Sequence, residues 1–117
     1  MKWFNRNEMK CNCGKCGQDV VDYELAEVLD DVREYFGKPV TITSGNRCLE
    51  YNISIGGSNK SVHMTGQAAD IQVKGTKPNK VQEYLLGKYP GKYGIGRYSN
   101  FSHIDVKTGP ARRWDSR

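Results

Sequence analysis

The segment Ser61-Val62-His63-Met64-Thr65-Gly66-Gln67-Ala68-Ala69-Asp70 carries one of the chain's two histidines and runs into an aspartate. Gly66 permits a tight turn after the histidine, and Ala68 and Ala69 are small enough for close backbone packing on the way to Asp70. A turn followed by a strand over 67–73 brings His63 and Asp70 together. The second histidine lies in Phe101-Ser102-His103-Ile104-Asp105, which reads as a strand over 101–106. Its two-residue period puts His103 and Asp105 on one face. Two imidazoles and one carboxylate fit a catalytic zinc site, which uses three protein ligands and keeps the fourth position for water. By residue type alone, the same three side chains also fit an ordinary hydrogen-bonded group.

Outward from this core, Leu25, Val28, Leu29, Val32 and Phe36 recur at helical spacing behind Asp22, a capping residue, and Gly37 with Pro39 supplies the stop. Val40-Thr41-Ile42-Thr43 is a β-branched run that ends at Ser44-Gly45 and reads as a buried strand. A short helix over 47–55 is followed by the loop Gly56-Gly57-Ser58-Asn59. Pro78 suits the first position of a second long helix, through Val81, Tyr84 and Leu85 and ending before Pro90-Gly91. Tyr93 to Tyr98 reads as a further strand. Strands and helices without regular βαβ alternation predict an α+β domain, a small mainly antiparallel sheet with flanking helices.

With 117 residues the chain predicts one domain over 1–117, with a cysteine-rich arm at 1–20 that contains few apolar residues. Mean hydropathy is -0.72, and no apolar run approaches the roughly 18 residues that a membrane span needs, so no membrane insertion is expected. The first residues lack the apolar stretch and cleavage site of a signal peptide, which predicts synthesis in the cytoplasm. The formal net charge of +5 would draw the protein toward polyanions. Its basic residues are scattered and accompany no nucleic-acid-binding motif, so no nucleic-acid partner is expected. A monomer is expected.

The pattern Ser61-x-His63-x-x-Gly66-x-Ala68-x-Asp70, together with Ser44-Gly45-Asn46-Arg47 upstream and Phe101-Ser102-His103-Ile104-Asp105 downstream, resembles the VanY-type zinc D-alanyl-D-alanine carboxypeptidases. That family includes phage endolysins that cut the L-alanyl-D-glutamate bond, and it shares its fold with the hedgehog signalling domain. The resemblance runs from about Phe4 to Trp114. It implies a hedgehog/DD-peptidase-like fold and a zinc metallopeptidase acting on peptidoglycan stem peptides, as a phage endolysin or a D,D-carboxypeptidase, reaching the wall after release. It further implies zinc on His63, Asp70 and His103, a substrate carboxylate gripped by Arg47, and a substrate-contacting or supporting hydroxyl at Ser61. The sequence departs from the family where other members carry a general base: those positions hold Asn100 and Phe101. Asp105 is the nearest alternative, as base or as the carboxylate that orients His103. The missing base also keeps open a non-catalytic binding module of the same fold.

Cys11, Cys13 and Cys16 cluster in the arm, and Cys48 follows Arg47. Three states fit this spacing: a second, structural zinc on four thiolates, one or two disulfides, or reduced thiols.

Overall fold

The computed structural model describes residues 2–58 and 61–117. Helix α1 spans Tyr23–Phe36; Asp22 caps it by accepting from Glu24 N–H, and Gly37 closes it in the left-handed conformation. Strand β1 (Val40–Ser44), helix α2 (Leu49–Ser54), strand β2 (Ala68–Val73), helix α3 (Pro78–Lys88) and strands β3 (Gly94–Arg97), β4 (Ser102–Asp105) and β5 (Arg112–Asp115) follow. The predicted loop after α2 is present through Ser58, and its last residue, Asn59, lies outside the described residues. No helix among the described residues is long and apolar enough to cross a membrane.

The sheet has the order β1-β2-β4-β3-β5. Three pairings are antiparallel and the last, β3 with β5, is parallel. The fold is therefore α+β, as expected, with one edge strand that the sequence reading did not include. Period-two alternation divides the sheet cleanly. One face carries Val40, Ala69, Ile71, Val73, Ile95 and Ile104, which form the core with Leu25, Val28, Leu29 and Val32 of α1 and Val81 and Leu85 of α3. In Val40-Thr43, expected to be buried, Val40 is buried and Ile42 half-buried, while Thr41 and Thr43 are exposed because alternate side chains point away from the core. The arm also differs from expectation: a short 3₁₀ turn at Arg6–Met9 places Met9 in the core beside Phe4, so apolar burial holds part of it. Gly45 is needed there, since a Cβ would come within 2.9 Å of the Met9 backbone.

The opposite face carries the chemistry. Asp70 of β2 stands directly across from His103 of β4, which stands across from Gly96 of β3, which in turn faces Trp114 of β5. Gly96 leaves room for the indole: a Cβ at that position would lie 2.5 Å from the Trp114 ring. Gly96→Ala should therefore destabilise the fold by about 1–3 kcal/mol, the usual cost of overpacking. In urea unfolding the loss should shrink when Trp114 is also replaced by alanine. Equal losses in both backgrounds would show that the ring does not demand the glycine.

Candidate active site

His63 sits in a 3₁₀ turn, Val62–Thr65, between Ser61, whose hydroxyl accepts from His63 N–H, and Gly66 in the left-handed conformation. Gly66 is positioned by more than its φ of 75°, because a Cβ there would strike the Val20 carbonyl at 2.7 Å. This turn carries His63 over the end of β2. Asp70 and His103 then arrive from neighbouring strands in register, and all three side chains are buried.

Hydrogen bonding settles which ring nitrogens face the centre. His63 Nδ1 lies 2.8 Å from the Gly45 carbonyl, which can only accept, so Nδ1 carries the proton and Nε2 offers its lone pair toward Asp70 Oδ1 at 3.3 Å. His103 Nε2 lies 2.8 Å from Asp105 Oδ2 and Nδ1 lies 2.9 Å from Asp70 Oδ1. With Nε2–H donated to Asp105, Nδ1 is left as the nitrogen directed at Asp70. Lone pairs on two imidazoles and a carboxylate thus converge on one point, an arrangement that requires a cation or a proton between them.

The donor set fits a divalent metal. One atom each from His63, Asp70 and His103 lie within 4.8 Å of one another. Ligands bound tetrahedrally at about 2.0–2.2 Å stand about 3.3–3.6 Å apart, close to the contacts seen here. Each histidine is also fixed by a hydrogen bond from its far nitrogen, as metal-bound imidazoles usually are.

Electrostatics reinforce the arrangement. Burial pushes the Asp70 carboxyl up, but hydrogen bonds and charge from His103 and His63 outweigh it and hold the group well below the usual carboxylate range. Burial lowers the His103 pKa, and its hydrogen bonds and charge contacts with Asp105 and Asp70 overcome this to leave it above the ordinary value. Asp105 is completely buried and pairs with Arg112. Its pKa is depressed because hydrogen bonds from His103 and Arg112 exceed the effect of burial. The His103 ring separates Asp105 from the nitrogen that faces Asp70.

These residues lie at the floor of an open cleft of about 620 Å³. Arg47, Ser61, the loop through Gly57, and the rings of Tyr98, Phe101 and Trp114 line it as well. Arg47 is held by Ser44 Oγ at 3.3 Å, Ser61 Oγ at 3.4 Å and Asn52 Oδ1 at 3.5 Å, with Nη2 3.6 Å from Asp70 Oδ2. The structure therefore brings together all six residues singled out from the sequence: His63, Asp70, His103, Arg47, Ser61 and Asp105. Asn100 and Phe101 offer no carboxylate.

Sequence reasoning missed Arg112 and Trp114. Arg112 buttresses Asp105, and the Trp114 ring packs 4.9 Å from the His103 ring while its Nε1–H donates to Tyr98 Oη at 2.8 Å. A signal was available in Gly94-Ile95-Gly96. Two glycines at strand spacing around a buried isoleucine mark a close approach on one face, and a Cβ at Gly94 would run into Asp105 and Arg112.

A family model described as Peptidase M15 matches residues 2–105. The chain belongs to the peptidase M15 family. The matched stretch contains all three converging donors and ends at Asp105, so β5 with Arg112 and Trp114 follows it. Among similar proteins are those called peptidoglycan L,D-endopeptidase MepK in Escherichia coli and in Shigella flexneri. Each is 38% identical over 82 residues, which is 66% of this chain and 44% of theirs. The chain thus spans less than half the length of these curated relatives.

Proposed function

We propose that this M15 family member is a zinc-dependent endopeptidase that hydrolyses stem-peptide bonds of bacterial peptidoglycan, with His63, Asp70 and His103 holding the metal. The observation that carries this reading is the convergence of His63 Nε2, Asp70 Oδ1 and His103 Nδ1, each imidazole locked by a partner on its other nitrogen. An all-N/O set of two histidines and one carboxylate suits zinc and leaves an open coordination position. The bond class is supported by the name of the similar MepK proteins.

When bound, zinc supplies Lewis acidity to the scissile carbonyl and to the attacking water. The chain's own residues supply position. Arg47, braced by Ser44, Asn52 and Ser61, presents a planar guanidinium beside the donors and grips a substrate carboxylate through its paired N–H groups. Ser61 serves that site as the hydroxyl between Arg47 and the His63 backbone. Tyr98 and Phe101, whose rings stack at 4.3 Å, and Trp114 add an aromatic lining to the same cleft. Asp105 acts through His103, because its carboxylate lies behind the imidazole ring and is occupied by Nε2–H and Arg112. These contacts support an orienting role for Asp105 over that of general base.

Digestion of purified peptidoglycan with metal-loaded protein, followed by mass analysis of the fragments, tests the reading. Fragments with new termini inside the stem peptide are expected, and cross-linked species should decline. Release of terminal D-alanine alone would make the protein a carboxypeptidase. No fragments at all, despite bound metal, would leave a binding module of the same fold.

A further inference from the structure

A second cluster lies away from the cleft, where the arm meets α2. Cys11, Cys13, Cys16 and Cys48 are separate thiols in this structure, yet their four sulfurs all lie within 4.8 Å of one another. Cys11 and Cys48 are 3.8 Å apart, and Cys13 and Cys16 are 3.4 Å apart. Four thiolates at about 2.3 Å from a tetrahedral zinc stand about 3.8 Å apart, so the cluster has the dimensions of a tetrathiolate site.

The backbone is arranged for negatively charged sulfur. Cys13 Sγ accepts from the N–H groups of Lys15 and Cys16 at 3.3 Å, and Cys16 Sγ accepts from Gln18 N–H at 3.4 Å. Cys11 Sγ accepts from Cys48 N–H, and Cys48 Sγ from Tyr51 N–H, both at 3.4 Å. Every sulfur in the cluster therefore receives at least one amide donor. Left-handed backbone at Gly14 and Gly17 lets the loop turn back so that Cys11 N–H reaches the Gln18 carbonyl at 2.8 Å. Two disulfides would need close contact only within each bonded pair. Neither bridge would call for four mutually adjacent sulfurs or for amides directed at all of them.

We propose that Cys11, Cys13, Cys16 and Cys48 bind a structural zinc ion as four thiolates, joining the arm to the start of α2. The consequence reaches the cleft by a short path. Cys48 caps α2 and follows Arg47, while Asn52 of the same helix contacts the Arg47 guanidinium. The ion is thus a positioning element for the arginine wall. Its existence does not depend on the catalytic reading.

Metal content and cobalt substitution of the full chain separate the two sites. The unaltered protein should carry two zinc ions per chain. A variant with both His63→Ala and His103→Ala should keep one, and with cobalt in its place should show the intense near-ultraviolet thiolate-to-metal charge transfer of a sulfur site. Cys48→Ser should remove that band. Should the serine variant fail to fold, alkylation of the unaltered protein gives the same information: all four thiols should be protected in native protein and become reactive together when a chelator strips the metal. Four thiols that react at once in native protein, or a mass deficit from bridged cysteines, would overturn the proposal. So would a double histidine variant that folds but holds no zinc and gives no charge-transfer band with cobalt.

Discussion

His103→Ala is expected to empty the cleft of metal and to lower peptidoglycan hydrolysis by at least about 10²–10³-fold. That floor follows from the cost of removing a single hydrogen-bond donor to a transition-state oxyanion, since the variant loses the whole ion that would stabilise the developing charge. The loss should be selective for the cleft, so metal bound elsewhere in the chain stays. Elemental analysis and turnover on the same samples check it, and unchanged zinc with unchanged turnover would defeat the ligand assignment. A pH signature accompanies the prediction. In metal-free protein the Asp70–His103 pair shares a proton, and the raised His103 pKa contributes stability that is fully present below about pH 6.5 and is lost as pH rises through the folded value. Metal must displace that proton, so its affinity should rise with pH over the same range and binding should release protons. Metal-free protein should thus become less stable toward alkaline pH while metal-loaded protein does not.

Much of this architecture was legible because local signals and burial agree. Asp22 and Gly37 bound α1 as cap and stop, and its apolar stripe is the one that packs on the sheet. Period two placed His103 and Asp105 on one face, and register did the rest by setting Asp70 opposite His103. What escaped was nonlocal or carried by backbone. β5 holds one aromatic residue among charged ones, and it pairs in parallel with a strand some 18 residues away in the chain, so no alternation marks it. The Gly45 carbonyl that fixes the His63 tautomer is a backbone atom that no motif spells out. For Asp105, a shared strand face could not reveal which imidazole nitrogen it would meet. That choice bears on whether it serves as a base or as an orienting group, and the contact with Nε2 is visible only in three dimensions.

Asp105→Asn should therefore act on metal affinity, and the reason lies in the number of acceptors. Asp105 offers Oδ2 to His103 Nε2–H while its other oxygen pairs with Arg112 and accepts from Lys107 N–H at 3.2 Å. An asparagine has one acceptor oxygen for these demands. Turned toward Arg112, it presents its amide N–H₂ to His103 and favours the tautomer with the proton on Nδ1, the nitrogen needed by the metal; turned toward His103, it sets N–H₂ against a guanidinium. Either way the zinc-competent imidazole is disfavoured, and affinity should fall by about tenfold to a hundredfold, the usual effect of losing a partner behind a metal ligand. Excess zinc should restore hydrolysis. Removing the competing cation should help as well, so Asp105→Asn combined with Arg112→Ala should bind zinc more tightly than Asp105→Asn alone, a coupling expected of residues in one hydrogen-bonded network. Zinc titration and turnover across the four proteins of this cycle decide the matter. Unaltered zinc affinity with turnover reduced by about 10²–10⁴-fold, the range of general acid–base catalysis, would instead return Asp105 to the role of proton acceptor.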